Sequence, residues 1–370
     1  MPDDRVSPTI CEGSFHAFYF YDIADGMHLE SLSQMAGSRA ERAPGFKLPV
    51  PDYVRFVRPP VMTPTEPVQM PDGRTFRACL RYFEQGVVSL DLEFAFEAGW
   101  EQVIAWSSQW MNAPELEKIA EERVRSQVAK VEGALKGPYG EWLDETYCVI
   151  HLRSVRTAEG RVIGGAEMIE RYGSELAQIV RGETTPLAAG EQRELMDSSM
   201  SYYPSDLLLV AWMGAVVYDT PDGAVPVLQL LEYANVQLLE YRHYDNILTR
   251  VLEEGYDSLE NRRGFFARWR LAREAERLDT LRLEVRELSE RTQNAIKFLS
   301  DMYYARAFQL ASVKIGGADY RGLVETKLNT AGEIYQSMVN EFRELRSFLL
   351  EVIVIVILLV ELIPLVRGKH

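Results

Sequence analysis

Phe348 to Val366 reads FLLEVIVIVILLVELIPLV, a stretch broken only by Glu351, Glu361 and Pro364. A bilayer core calls for about 20 mostly apolar residues in a helix. Val352 to Val360 is an uninterrupted run of Val, Ile and Leu. A buried strand is also rich in Val and Ile, but this stretch is long for a strand and continues directly from a helical pattern. The sequence therefore predicts a transmembrane helix over 348–366, a single-pass C-terminal anchor. Arg343 and Arg346 precede it, and Arg367 and Lys369 follow it. Moving a four-residue tail across a bilayer is easier than moving the body without a signal. The body is thus expected to be cytoplasmic, on a bacterial inner membrane or its organellar equivalent. Glu351 and Glu361 lie near the ends of the stretch, where a carboxylate is cheapest, and read as membrane-interface residues. A polar contact between anchor helices is the alternative.

No cleaved secretory signal is expected at the other end, since Asp3, Asp4 and Arg5 open it and no unbroken apolar run follows before Asp22. Lys and Arg number 40 against 55 Asp and Glu, a net charge of −15. Phosphate backbones repel such a chain, so no nucleic-acid partner is expected. Cys11, Cys79 and Cys148 are far apart and form no C-x-x-C, which argues against a disulfide framework or zinc site.

Between these ends the pattern changes once. Residues 1–220 read as a soluble α+β domain. Ser14 to Ile23 is an aromatic strand, and prolines between 37 and 71 mark an irregular arm with a short strand at Tyr53–Val57. Thr75–Phe83 and Gly86–Phe96 alternate with a period of two and read as a hairpin turning at Glu84–Gly86. That register brings Arg77 and Arg81 near Asp91 and Glu93. Two carboxylates at i, i+2 are one way to build acid–base chemistry; cross-strand charge pairing on a solvated face is the simpler reading. Trp100–Trp110, Pro114–Leu135 and part of Val162–Arg181 read as helices, with a turn at Gly137–Gly140. Tyr147–Arg153 reads as a strand, and Leu207–Asp219 as one central buried strand.

From 221 to 347 the pattern is helical. Leu271, Leu278 and Val285 occupy one heptad position and Leu281, Leu288 and Met302 another, about four heptads of an antiparallel coiled-coil hairpin. Gly264 and Gly316–Gly317 are its candidate turns. Asp245 interrupts an apolar seam between Tyr241 and Leu248 and calls for a cationic partner on a neighbouring helix. Asn261 to Arg270 places Arg262, Arg263, Arg268 and Arg270 around Phe265, Phe266 and Trp269, a combination suited to an anionic membrane interface. A helical turn packing its aromatics on the α+β domain is the alternative.

Familiar chemistry is missing. The sequence has no G-x-S-x-G, no P-loop and no G-x-G-x-x-G. None of its five histidines has a second histidine at i+2 to i+4, so no metal centre, cofactor or catalytic residue is assigned. His16 and His151 fall in strands and read as satisfied sheet histidines.

Asp206 to Asp245, DLLLVAWMGAVVYDTPDGAVPVLQLLEYANVQLLEYRHYD, and Leu350 to Leu362, LEVIVIVILLVEL, together resemble the required-for-meiotic-nuclear-division family. That resemblance implies a membrane tether with no established catalytic residues, and its mitochondrial members are linked to organellar translation. The expectation is a membrane-anchored, non-catalytic scaffold. Its partners would be the lipid bilayer and either a protein or a second copy held through the coiled coil. An unrecognised membrane-bound enzyme is the alternative. A channel resembling the magnesium-channel architecture is disfavoured, because that family uses two spans and a Gly-Met-Asn loop.

Overall fold

Along Ser14 to Asp22 the even-numbered side chains face one side of the strand and the odd-numbered ones the other, and six of the nine are apolar or aromatic. Such a strand is stable only when both faces are covered, and the computed structural model shows this. It describes residues 9–35, 41–42, 60–70, 73–260, 278–290 and 302–367. The strands are β1 (Ile10–Met27), β2 (Glu41–Arg42), β3 (Val61–Gln69), β4 (Thr75–Tyr82), β5 (Val87–Ala98), β6 (Leu135–Arg156), β7 (Ser199–Met200), β8 (Leu207–Val210) and β9 (Gly214–Tyr218). They form one sheet in the order β2-β3-β4-β5-β1-β6-β9-β8-β7. All its pairings are antiparallel except β6 with β9. The helices are α1 (Leu29–Met35), α2 (Trp100–Met111), α3 (Pro114–Val128), α4 (Gly165–Arg181), α5 (Ala189–Met196), α6 (Pro221–Glu260), α7 (278–290), α8 (Met302–Lys314) and α9 (Gly317–Arg367).

Two cores result, one on each face. Phe15, Ala17, Tyr19 and Tyr21 of β1 join the core built with α2, α3 and α4. Phe18 and Phe20 join the core under α6 and α8, where Leu230, Leu231, Ala234, Leu238 and Phe308 cover them. The chain divides into two compact units. The sheet unit comprises Met1–His243 and Ser289–Tyr320; the second comprises Tyr244–Leu288 and Arg321–His370.

Several expectations are corrected. Leu207–Asp219 is two strands, β8 and β9, turning at Ala211–Met213; a run apolar on both faces hid the turn. Gly137–Gly140 lies inside β6, where Pro138 pairs with Ala24 beside a register shift. Part of the proline arm is the strand β3. β2 pairs only with Val61 and Met62, so beyond them β3 is an edge among the described residues, and Pro67 falls in the register shift between Thr65 and Val68. Edges and bulges are where a strand tolerates a missing N–H. Tyr53–Val57 and Gly264 lie outside the described residues. The hairpin turn at Glu84–Gly86 stands where expected: Gly86 has φ 96°, and a Cβ there would come within 1.8 Å of the Ala24 carbonyl oxygen.

The expected architecture of a coiled-coil hairpin followed by a transmembrane helix does not hold. The first helix of the series, α6, spends its apolar stripe up to Leu239 on the sheet. Met302, expected in the heptad seam, is 77% exposed, and α8 beyond it packs Ala307, Phe308 and Ala311 onto the sheet. The remaining apolar positions belong to the second unit, where Leu248, Val251, Leu278, Leu281, Val285, Val324, Leu328 and Ala331 are buried. There the second half of α6, α7 and α9 form a three-helix arrangement, with Arg282 of α7 against Gly332 of α9.

The run at 348–366 continues α9 without a break, as the helical pattern before it led one to expect. Among the described residues no helix is long and apolar enough to cross a membrane. The described side chains of the apolar tail, Val352 to Ile357, are exposed. The single-pass C-terminal anchor, and the membrane location with a cytoplasmic body inferred from it, are therefore not supported.

Asp245 has a cationic neighbour in the second unit. Lys327 of α9 lies 2.6 Å from its carboxylate and donates to Thr249 Oγ1 at 2.8 Å. Both charged side chains are partly exposed, so screening keeps the pair near 1 kcal/mol. Asp245→Leu is expected to lower the unfolding free energy, read from urea titration, by about 1 kcal/mol, and adding Lys327→Met should restore most of it. A rise with the single change would show that the pair does not stabilise the unit.

Candidate functional site

The face of the sheet beneath α6 is not purely apolar. Alternation in β1, β4 and β5 points Ser14, His16, Arg81, Ser89 and Asp91 to this side. Register brings them together: Arg81 lies opposite Ser89, and Cys79 opposite Asp91. From above, α6 contributes Glu232, from the segment LEYAN.

These six groups form one hydrogen-bonded array. His16 Nε2 is 3.0 Å from Ser14 Oγ, and its Nδ1 is 3.1 Å from Asp91 Oδ1. Arg81 donates to Asp91 Oδ2 at 3.3 Å and to Glu232 Oε1 at 2.9 Å. Ser89 Oγ donates to the same Glu232 oxygen at 2.8 Å. Ser14, His16 and Asp91 are each 5% exposed and Glu232 is 3% exposed. Asp91 was expected on a solvated face. It does pair with Arg81, but it is buried, because helices cover both faces of the sheet. The partner pair, Arg77 and Glu93 at 2.5 Å, does reach solvent.

Burial opposes charge at His16, Asp91 and Glu232; the partners outweigh it at the first two and not at the third. Burial alone would lower His16, yet the Asp91 carboxylate holds it above the ordinary histidine range. Burial would raise Asp91, but His16 and Arg81 hold it below the usual carboxylate range. Glu232 stays raised by burial, with Arg81 opposing. His151, close by on β6, is lowered by burial and shares a 3.0 Å hydrogen bond with the Asp219 carbonyl ahead of α6.

The order Ser14–His16–Asp91 is that of a nucleophile, a base and an orienting acid. Its electrostatics suit a different task. A general base must be neutral and keep a lone pair for the serine proton. Whenever His16 is protonated it donates from both nitrogens, and Ser14 then accepts a hydrogen bond. With His16 protonated and Glu232 ionised, the array sets two cations, His16 and Arg81, against two anions, Asp91 and Glu232, and ties sheet to helix as a neutral lock. A second fastening lies further along α6. His243 Nδ1 is 3.0 Å from the buried Asp22 carboxylate, its ring stacks on Tyr139 at 4.7 Å, and Arg242 pairs with Glu145. Tyr139 OH donates to Asp25 at 2.9 Å.

The pH dependence follows from the directions of these shifts. Stability from the raised His16 is complete below its ordinary value, about pH 6.5, and is lost as pH climbs through the raised value. Glu232, also raised, acts in the same direction. Stability from the lowered Asp91 is complete above its ordinary value, about pH 4, and is lost as pH falls through the lowered one. His16→Gln is expected to remove most of the loss on the alkaline side, read as melting midpoint against pH. An alkaline arm identical to that of the wild type would contradict the assignment.

Among the described residues no group of three or more His, Cys, Asp or Glu could hold a metal ion. The thiols are poor nucleophiles, since burial pushes Cys79 to about 11 and Cys11 and Cys148 to about 12. Of the interface candidates, Arg262, Arg263, Phe265, Phe266, Arg268, Trp269 and Arg270 lie outside the described residues. Glu351 is exposed on α9. Glu361 falls within α9, but its side chain lies outside what is described. Glu232 and Asn235 were missed from sequence, although both fall on the apolar stripe with Leu231 and Leu238. A polar residue on a buried stripe was the available signal. Asn235 is fully buried and donates to the Leu231 carbonyl at 2.8 Å.

No solved structure matches the chain. It is 20% identical over 195 residues to uncharacterized protein MJ0711 of Methanocaldococcus jannaschii, an alignment covering 53% of this chain and 60% of that protein. The family described as "Uncharacterized protein MJ0711, N-terminal domain" matches residues 12–224, from β1 to the first turn of α6. That range holds the whole sheet and every member of the buried array except Glu232, and it takes in more than half the chain: this protein belongs to the MJ0711 N-terminal domain family.

Proposed function

We propose that the protein is a non-catalytic interaction module that holds a partner protein on the aromatic edge beside β7 and β8. The observation that carries this reading is a braced pair of exposed tyrosines. Tyr202 is 54% and Tyr203 62% exposed. The backbone N–H groups of both donate to the buried Asp206 carboxylate, at 2.7 and 2.9 Å, which fixes the loop. Their rings meet edge to face at 4.7 Å, and Tyr303 of α8 stands 5.3 Å from Tyr202. At the other end of β8, Trp212 is 52% exposed, and its ring lies where a Cβ on Gly316 would meet it at 2.7 Å. Tyr and Trp give large contact areas at low entropic cost, and a pre-fixed loop lowers that cost further. The resemblance of Asp206–Asp245 to the required-for-meiotic-nuclear-division family fits this reading, since that family implies no catalytic residues.

The test is site-specific photocrosslinking in cells of the source organism. A photoreactive phenylalanine analogue at Tyr203 should give a discrete adduct with one protein. The same analogue at Val162, also exposed, should not. Adduct formation should fall at least tenfold with Tyr202→Ser and Trp212→Ser. Equal labelling from both sites would remove the edge as the binding surface.

A further inference from the structure

We propose that a groove between α3 and β3 binds a small phosphate-bearing molecule, a role independent of the aromatic edge. The groove holds about 520 Å³. One wall is α3 with the turn that follows it: Arg123 and Gln127, spaced i and i+4, share a face of the helix, and Lys130 comes from the turn. The facing wall is β3, with Thr63 and Thr65, and Tyr82 lies between them.

The donor set selects the ligand. Guanidinium, ammonium, side-chain amide and two hydroxyls are groups that donate hydrogen bonds, and an oxyanion with several acceptor oxygens satisfies them together. Thr63 Oγ1 is shielded from solvent and has no hydrogen-bond partner among the described residues. A buried hydroxyl left unmatched is costly, and rotation of the Thr63 side chain toward the groove it lines would present that hydroxyl to a phosphate oxygen. Arg123 is already oriented across the groove, donating to Thr65 Oγ1 at 3.3 Å and to the Glu66 carbonyl. Lys130 reaches only Gln127, at 3.2 Å, and is exposed. The charge is distinctive too. Two cations against the Glu66 carboxylate leave this patch positive in a chain of net charge −15. The apolar surface of Tyr82, Val131 and Met35 would take the organic part of a phosphate ester.

The experiment is a titration of the full chain with phenyl phosphate, followed by amide chemical shifts, with inorganic phosphate and benzoate as separate arms. Phenyl phosphate should give saturable shifts at Thr63, Thr65, Gln127 and Lys130. Inorganic phosphate should bind the same residues more weakly, and benzoate should not bind. Lys130→Gln, a surface change that leaves the fold untouched, should weaken binding about tenfold. Arg123→Gln combined with it should weaken binding at least a hundredfold while the melting midpoint stays within a few degrees. Absence of saturable shifts at these residues, saturation elsewhere, or equal binding by Lys130→Gln would each overturn the proposal.

Discussion

Arg81→Ala is expected to destabilise the sheet unit by about 3–5 kcal/mol, because it leaves two buried carboxylates, Asp91 and Glu232, facing each other without their shared cation. The loss should appear as a lower urea midpoint and as faster amide exchange in the part of α6 around Glu232. Adding Glu232→Met removes one of the stranded charges and should recover a good part of the loss, since the segment around it is apolar. Recovery separates a lock from a generic packing defect. A single variant within 1 kcal/mol of wild type would mean that the array does not seat the helix.

The other large effect lies on the opposite face. Trp110 is 1% exposed and meets Phe15, Phe76 and Phe94 edge-on at 4.8, 5.2 and 5.4 Å, with Trp106 stacked at 5.7 Å. Trp110→Ala removes the ring on which α2, β1, β4 and β5 converge, and is expected to cost about 3–5 kcal/mol. Trp110→Phe keeps part of that contact and should cost clearly less. Denaturant unfolding followed by circular dichroism measures both.

What could be read from sequence depended on whether local pattern and tertiary cover agreed. β5 showed its period of two, and the charged pairs Arg77–Glu93 and Arg81–Asp91 followed from the hairpin register alone. Whether Asp91 saw water did not follow, because that depends on α6, whose cover comes from more than a hundred residues further on. The same helix explains the missed Glu232: LEYAN looked like a structural motif, and its glutamate is structural, but as the upper half of an ion pair rather than as a surface residue. Leu207–Asp219 was legible as buried and illegible as two strands, since a sheet covered on both faces removes the alternation that marks a turn. At the C-terminus, composition outweighed context. An apolar run of Val, Ile and Leu was taken for a membrane span, while the heptads of 278–290 were extended through Met302 into a helix that packs on the sheet.

The account turns on the charge of one ring. In a lock, His16 is an imidazolium that donates to both Asp91 and Ser14; in a hydrolytic triad it is a neutral base that accepts from Ser14. The nitrogen chemical shifts of His16, followed across the neutral range in the intact protein, distinguish the two. The account predicts that both ring nitrogens stay protonated at pH 7 and that His16 titrates above His151. A His16 that is neutral at pH 7, with an unprotonated Nε2 facing Ser14, would contradict it.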